Sequence, residues 1–418
     1  MSDMKVTYYI ARRLRLGEKG RYSTSVVIAI CGVALSVAVM MLSIAVVSGF
    51  KHQIRGKVAG FESQIAINAS HIEGDTTANK DFDYLTLGPE LKNLIDGSGL
   101  FSAYDLSIRL PSILKTDNDF EGIVLYGIEN GSGRARFLKE NISGEGVNDL
   151  KDNEIVLSSH TAGALSLNKG DKVFAYFFVD GSVKTRRFIV ADIYNTNFSD
   201  YDKLYAFVPL QTLQKLNGLE QNQGTQVDLT CADGSHIDEN ALELQKMMMI
   251  ASYSGELPGV YQLSTVTQNA MLYLNWLDLL DTNVVVILIL MALVSGFTLI
   301  SSLFIIILER VQTIGLLKAM GASNRQIREV FTAIGWRLVL WGMLAGNVVS
   351  LVLIGSQALL HVVPLDPESY YLSFVPVRID IVDILLLNAA VFVVSWAMLL
   401  VPSRSVAKVL PARALRYE

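Results

Sequence analysis

The chain has 418 residues, 51% of them apolar and only 18% charged, with a formal net charge of −5. That is too hydrophobic for an ordinary soluble enzyme. The charge is uneven: residues 49–282 hold 19 Lys+Arg against 31 Asp+Glu, and an acidic stretch of this kind argues against nucleic acid as a partner.

Residues 1–24 are a basic, amphipathic segment with Lys5, Arg12, Arg13, Arg15, Lys19 and Arg21. Ser25–Phe50 then carries no charge. Its length meets the roughly 18–20 residues needed to cross a bilayer core and exceeds the roughly 7–15 of a signal-peptide core. Ile30 stands where a lipoprotein-type cleavage before Cys31 needs a small residue, so 25–50 reads as a retained span. The only other cysteine, Cys231, falls in the polar region, which leaves no disulfide framework.

Residues 51–282 have the composition of a globular domain. Lys51–Phe61 extends the first span's helix beyond the membrane. Alternating runs at Gln64–Asn68, Ile123–Ile128, Ile155–Ser158, Lys172–Phe178, Thr185–Ile193, Lys203–Val208 and Gln226–Thr230 predict strands. Asp180-Gly181 is a hairpin turn signal, and helical spacing appears at Pro209–Asn217 and Ile237–Ala251. The domain is α+β. His52, His71, His160, His236 and His361 show no metal-ligand spacing, and no hydrolase motif is present. From Tyr261 to Thr282 the spacing predicts one continuous helix running into a second span, 283–308, with Tyr273 and Trp276 near the interface.

Residues 309–329 connect this span to a third, 330–360. Val311, Ile314, Leu317 and Met320 share one helical face, with Arg310, Gln312 and Lys318 largely off it. Gly321 suits the helix C′ position, and Ser323-Asn-Arg-Gln326 has capping-box form. Such a helix either rests on the lipid interface or docks in a groove on a soluble partner, and its residues leave both open. A short loop, 361–383, leads to a fourth span, 384–401, and a basic tail, 402–418. The tail and the two other short basic segments contrast with 361–383, which has Arg378 alone. That asymmetry places both termini in the cytoplasm and the large domain outside it. The fold class is therefore an α-helical membrane protein with four transmembrane helices (1+3) and a large α+β extracytoplasmic domain between helices 1 and 2.

Glu309–Ile327 resembles the E-R-x-x-x-I-G-x-L-K-A-x-G-A-S-x-x-Q-I signature of the permease family that includes the macrolide-exporter, cell-division and lipoprotein-releasing ABC transporters. Pro411–Glu418 is similar to that family's P-x-x-A-L-R-Y-E ending. Tyr9–Arg13, Val47–Phe50, Gly170–Val173, Phe188–Ile193 and Tyr205–Pro209 resemble the lipoprotein-releasing branch. The resemblance implies an FtsX-like permease domain with a MacB-like periplasmic domain in a bacterial inner membrane. It implies a separate, dimeric ATPase that uses ATP and Mg, since this chain has no G-x-x-x-x-G-K-[ST] and is expected to bind no cofactor and no metal and to have no catalytic site. A second permease copy or a sister permease completes the complex.

Within that resemblance, Arg310, Val311, Ile314, Leu317, Lys318, Met320 and Gly321 form the coupling helix on the ATPase. The implied cargo is a lipoprotein, drawn from the inner membrane toward the outer membrane. Its acyl chains would pass Met40, Val46, Val47, Phe50 and Met271, where Ser48-Gly49 leaves room. The turn Asp180-Gly181-Ser182 is shorter than the family's chaperone-recruiting hook, so this chain is either the subunit that does not recruit a periplasmic lipoprotein chaperone or one that engages it differently. The alternatives are a mechanotransmitting permease that switches a cell-wall hydrolase and a peptide or drug efflux permease.

Overall fold

The computed structural model describes residues 24–70, 84–142, 149–179, 182–233, 236–257 and 260–406. The basic N-terminal segment, the Asp180-Gly181 turn and the tail motif ending at Glu418 lie outside these residues. The chain divides into two compact units. One comprises residues up to His52, Leu277–Pro364 and those from Phe374 on; the other comprises Gln53–Trp276 and Leu365–Ser373.

Helix α1 (Thr24–Phe61) is continuous over 38 residues, about 57 Å at a rise of 1.5 Å per residue. That is nearly twice a bilayer core, so its uncharged part can cross while its charged last turns belong to the second unit. There follow β1 (Ile65–Ser70), β2 (Leu85–Thr86), α2 (Pro89–Ser98), β3 (Phe101–Lys115), β4 (Phe120–Ile128) and α3 (Gly133–Glu140). Next come β5 (Glu154–Ser158), α4 (Ser159–Ala164), β6 (Lys172–Val179), β7 (Ser182–Tyr194), α5 (Ser199–Asp202), β8 (Tyr205–Pro209) and α6 (Leu210–Asn217). The unit closes with β9 (Gln223–Gly224), β10 (Gln226–Cys231), α7 (Ile237–Tyr253), β11 (Val260–Thr265) and α8 (Val266–Asn269).

Among the described residues nine strands form one sheet in the order β11-β1-β10-β3-β4-β8-β5-β7-β6, and β6 pairs with β3 as well. Six of them, β3 to β6 in that order, therefore close on themselves as a barrel. Ile65, Leu106, Leu110, Leu125, Phe177 and Phe188 fill the core. The sequence concealed β3, because Pro111 disguises the alternation of Leu106, Ile108 and Leu110. Pro111 is exposed and sits opposite Val124.

One expectation is corrected. Residues 260–265 are not the start of a long helix but strand β11, paired antiparallel with β1 from Ile65↔Thr265 to Ser70↔Val260. Thr265 then caps α8 through a capping box with Gln268, and the long helix α9 (Met271–Glu309) starts only at Met271. The helical spacing of Met271, Leu274, Leu277 and Leu280 lies wholly inside α9, whereas Tyr261 and Leu263 are two residues apart, as in a strand, and the backbone of Val260–Thr265 pairs with a strand nearly two hundred residues away.

In the first unit α9 is followed by α10 (Val311–Ala319) and α11 (Asn324–Leu360), then, after α12 (Pro367–Tyr370) of the second unit, by α13 (Ile381–Val406). Among the described residues four helices, α1, α9, α11 and α13, are long and apolar enough to cross a membrane. Without a hydrophobic driving force in lipid, they associate through close backbone approach and buried polar pairs. A Cβ on Gly342 of α11 would lie 2.6 Å from the Cβ of Val33, and one on Gly346 would lie 2.6 Å from the carbonyl of Ala34. These glycines, four apart on one face, let α1 and α11 touch. Asn347 and Asn388 exchange amide hydrogen bonds of 2.7 and 3.0 Å, joining α11 to α13.

Candidate functional site: the coupling helix and the stalk anchor

Helix α10 is a single nine-residue segment between α9 and α11. Its end is built by the predicted local chemistry: Gly321 takes φ +97°, and its N–H donates to the Lys318 carbonyl at 3.0 Å. Ser323 then caps α11, its hydroxyl accepting from the Gln326 N–H at 3.3 Å while Gln326 Oε1 accepts from the Ser323 N–H at 2.9 Å.

The expected apolar face is divided between two environments. Ile314 is buried in the core of the membrane unit with Ile306, Ile307, Ile327 and Val330. Val311, Leu317 and Lys318 are half-buried, as is Arg310, while Met320 is 77% exposed. The outward apolar side chains are Met320 and Leu316, the latter 56% exposed and absent from the sequence reading. The reason is geometric. The ends of α9 and α11 flank α10, so the side nearest them is filled by the chain's own packing.

Four of the five gate candidates belong to the first unit and Met271 to the second. Met40 is 2% exposed within the membrane unit's core, and Phe50 is also buried. Val46 and Val47 are half-buried, and Met271 is exposed but belongs to the second unit. The room beside Ser48-Gly49 is taken: a Cβ on Gly49 would lie 2.8 Å from the backbone of Pro376, and the Arg378 N–H donates to the Ala45 carbonyl at 2.9 Å. A small residue that frees space in the sequence has here been matched by the chain's own backbone. Just beyond, Lys51 of α1 pairs with Asp281 of α9 at 2.5 Å and approaches Asp278 at 3.6 Å.

The end of α1 is fixed inside the second unit by residues that the sequence did not single out. Phe61 is wholly buried, stacked on Tyr201 with ring centroids 5.0 Å apart and edge-on to Phe137 at 5.2 Å. Arg134 of α3 caps the helix, donating to the carbonyls of Gly60 at 2.9 Å and Phe61 at 2.5 Å. The same guanidinium reaches Ser63 Oγ at 3.2 Å and the Asp228 carboxylate at 3.4 Å. Next to it Arg109 of β3 pairs with Glu62 at 3.2 Å, and the Tyr126 hydroxyl donates to Asp228 at 3.0 Å. Burial would push the Asp228 carboxyl up, but Arg134 and Arg109 outweigh it and hold it below the ordinary 3.8. Burial would likewise lower the Arg134 pKa, and Tyr126 and Asp228 raise it instead, so the cation persists. This is a rigid socket for the end of a membrane helix. Nothing in the local sequence announces it, because Arg134 and Asp228 are 94 residues apart.

Two family models match. The MacB-like periplasmic core domain matches residues 26–247, more than half of the chain, and the FtsX-like permease C-terminal domain matches residues 285–411. The chain is an FtsX-like permease with a MacB-like core domain. Curated relatives align over nearly their whole length. The lipoprotein-releasing system transmembrane protein LolC of Xylella fastidiosa (strain 9a5c) is 22% identical over 93% of both chains. LolC of Neisseria meningitidis serogroup B is 25% identical over 97% of this chain and 98% of its own. LolE of Haemophilus influenzae is 21% identical over 99% of each.

In this FtsX-like permease the socket lies in the second unit, around the end of α1, and α10 lies in the FtsX-like part. As an ABC-transporter permease the chain is a transmembrane subunit, and membership of the family implies an ABC ATPase and a permease as partners.

Proposed function

We propose that this chain is the permease subunit of an inner-membrane ABC transporter that extracts lipid-anchored proteins and passes them toward the outer membrane. The observation that carries the reading is the end-to-end alignment with lipoprotein-releasing LolC and LolE proteins. Both termini are cytoplasmic and the MacB-like domain periplasmic. The support is the basic character of residues 1–24, 309–337 and 402–418 against the single Arg378 of 361–383.

In this reading ATP and Mg are handled by the partner ATPase, which α10 contacts through Leu316 and Met320. Closure of that ATPase displaces α10 and with it α9 and α11, whose ends it joins. The 38-residue α1 is a continuous rod, and its socket of Phe61 and Arg134 carries any tilt of the rod into the domain. Acyl chains cost about 0.8 kcal/mol per CH₂ to expose to water, so cargo must enter from the lipid, at a seam with the second permease. With Met40 and Phe50 buried, Val46 and Val47 are the gate candidates on α1 that remain for such a seam.

Depletion of the permease tests the cargo. Lipoproteins should accumulate in the inner membrane. Normal lipoprotein sorting together with failed separation of daughter cells would replace transport with control of a cell-wall hydrolase.

A further inference from the structure

Three segments continuous with membrane helices belong to the second unit: the last turns of α1, the first turn of α9, and Leu365–Ser373 between α11 and α13. All three meet at one residue cluster. The Tyr273 hydroxyl of α9 donates to Asp200 Oδ2 at 2.8 Å, and the Tyr371 hydroxyl donates to the same oxygen at 2.9 Å. The two rings stand edge to face, 6.1 Å between centroids, and each packs edge-on against Phe198, at 5.1 and 4.8 Å. Phe198 in turn packs against Phe61 of α1. Lys57, one turn earlier on α1, donates to the Tyr371 carbonyl at 2.6 Å and to that of Thr196. Tyr371 holds φ +59°, a conformation a bulky residue keeps only where its surroundings impose it.

The chemistry here is the opposite of the Arg134 socket. Arg134 and Asp228 are enclosed, and opening them strands a charge. Asp200 is exposed, Tyr273 and Tyr371 are half-buried, and a cavity of about 680 Å³ lined by His160, Asn197, Asp202 and Asp366 opens beside them. Water can therefore replace both hydrogen bonds at small cost. Burial, and then the bond to Asp200, raises both phenol pKa values, so both groups remain donors at neutral pH. A weld and a breakable joint thus lie within one side chain's reach of Phe61.

We propose that Asp200 is the positioning residue of a latch: its one oxygen holds the start of α9 and the Leu365–Ser373 segment together in this conformation and releases at least one of them during each transport stroke. This deepens the permease reading and rests on it. Releasing Tyr273 lets α9 move against the domain while α1 stays socketed. Holding it keeps the two stalk helices in register.

The test uses the whole complex, permease and ATPase, in proteoliposomes. Asp200→Cys combined with Tyr273→Cys, and separately with Tyr371→Cys, is joined by a short bismaleimide. At least one cross-link should slow both ATP hydrolysis and lipoprotein release about tenfold, with the single-cysteine variants unaffected by the reagent. In the uncross-linked series, Asp200→Ala should keep ATP hydrolysis but lower the lipoprotein released per ATP several-fold, and Asp200→Asn, which retains an acceptor oxygen, should recover part of it. If both cross-linked pairs turn over ATP as fast as the unlinked chain, the joint does not open and the proposal is overturned. If Asp200→Ala leaves release per ATP unchanged, the bonds carry nothing and the proposal falls too. A wild-type complex that releases no lipoprotein refutes the cargo alone, because the cross-link's effect on ATP hydrolysis still reads the latch.

Discussion

Arg134→Met is the sharpest perturbation of the stalk socket. It removes the donor to the Gly60 and Phe61 carbonyls and leaves Asp228 buried without its nearest cation. Breaking a buried pair by deleting one partner costs about 3–5 kcal/mol, and an orphaned buried carbonyl adds about 1–3 kcal/mol. A domain has only about 5–15 kcal/mol in all, so the MacB-like unit should be close to unfolding. Arg109 moderates the loss, since its charge also acts on Asp228. The matched variant Arg134→Met with Asp228→Asn removes the stranded charge and should recover about 1–3 kcal/mol relative to the single variant. Chemical denaturation of the purified chain, followed by hydrogen exchange at Gly60–Gln64 to localise the change, measures both. Were Arg134→Met to lose less than about 1 kcal/mol, or the double variant to be no better than the single, the socket would not depend on this charge pair.

On α10, Leu316→Asp and Met320→Asp should abolish co-purification of the ATPase while the permease still inserts, since each places a charge in the docking contact proposed for this helix. Ile314→Asp should instead reduce the amount of folded permease, because that side chain is 1% exposed inside the membrane unit. Gly346→Leu should separate α1 from α11 and lower permease yield in membranes, since its Cβ alone would meet the Ala34 carbonyl at 2.6 Å; normal yield would refute the close approach. For pH, the Asp228 carboxyl is held below 3.8 when folded. Its contribution to stability is therefore present above that value and lost as pH falls through the folded pKa. Asp228→Asn should flatten the stability profile of the MacB-like unit below about pH 4, which acid titration of intrinsic fluorescence would detect.

The 1+3 membrane layout was legible because lipid accepts no uncharged run of this length in any other form, so composition alone locates the spans. The pairing of β6 with β7 was legible from alternating runs about a turn signal, helices α6 and α7 from the spacing of their apolar residues, and the Gly321 stop and the Ser323 cap from capping chemistry decided within a few residues. The close approach of Gly342 and Gly346 to α1 was not read from the sequence, since only the positions of Val33 and Ala34 show which helix they receive. What tertiary structure alone decided involves partners remote in sequence. Val260–Thr265 is a strand because β1 offers it hydrogen bonds. Pro111 lies in a barrel strand because its ring faces outward. Ile314 points inward because two neighbouring helices leave that side of α10 dry, and the space beside Gly49 is filled by the backbone of Pro376. The socket of Arg134 and Asp228 and the shared oxygen of Asp200 were invisible for the same physical reason: a charge or phenol reads as surface until the fold chooses its partner.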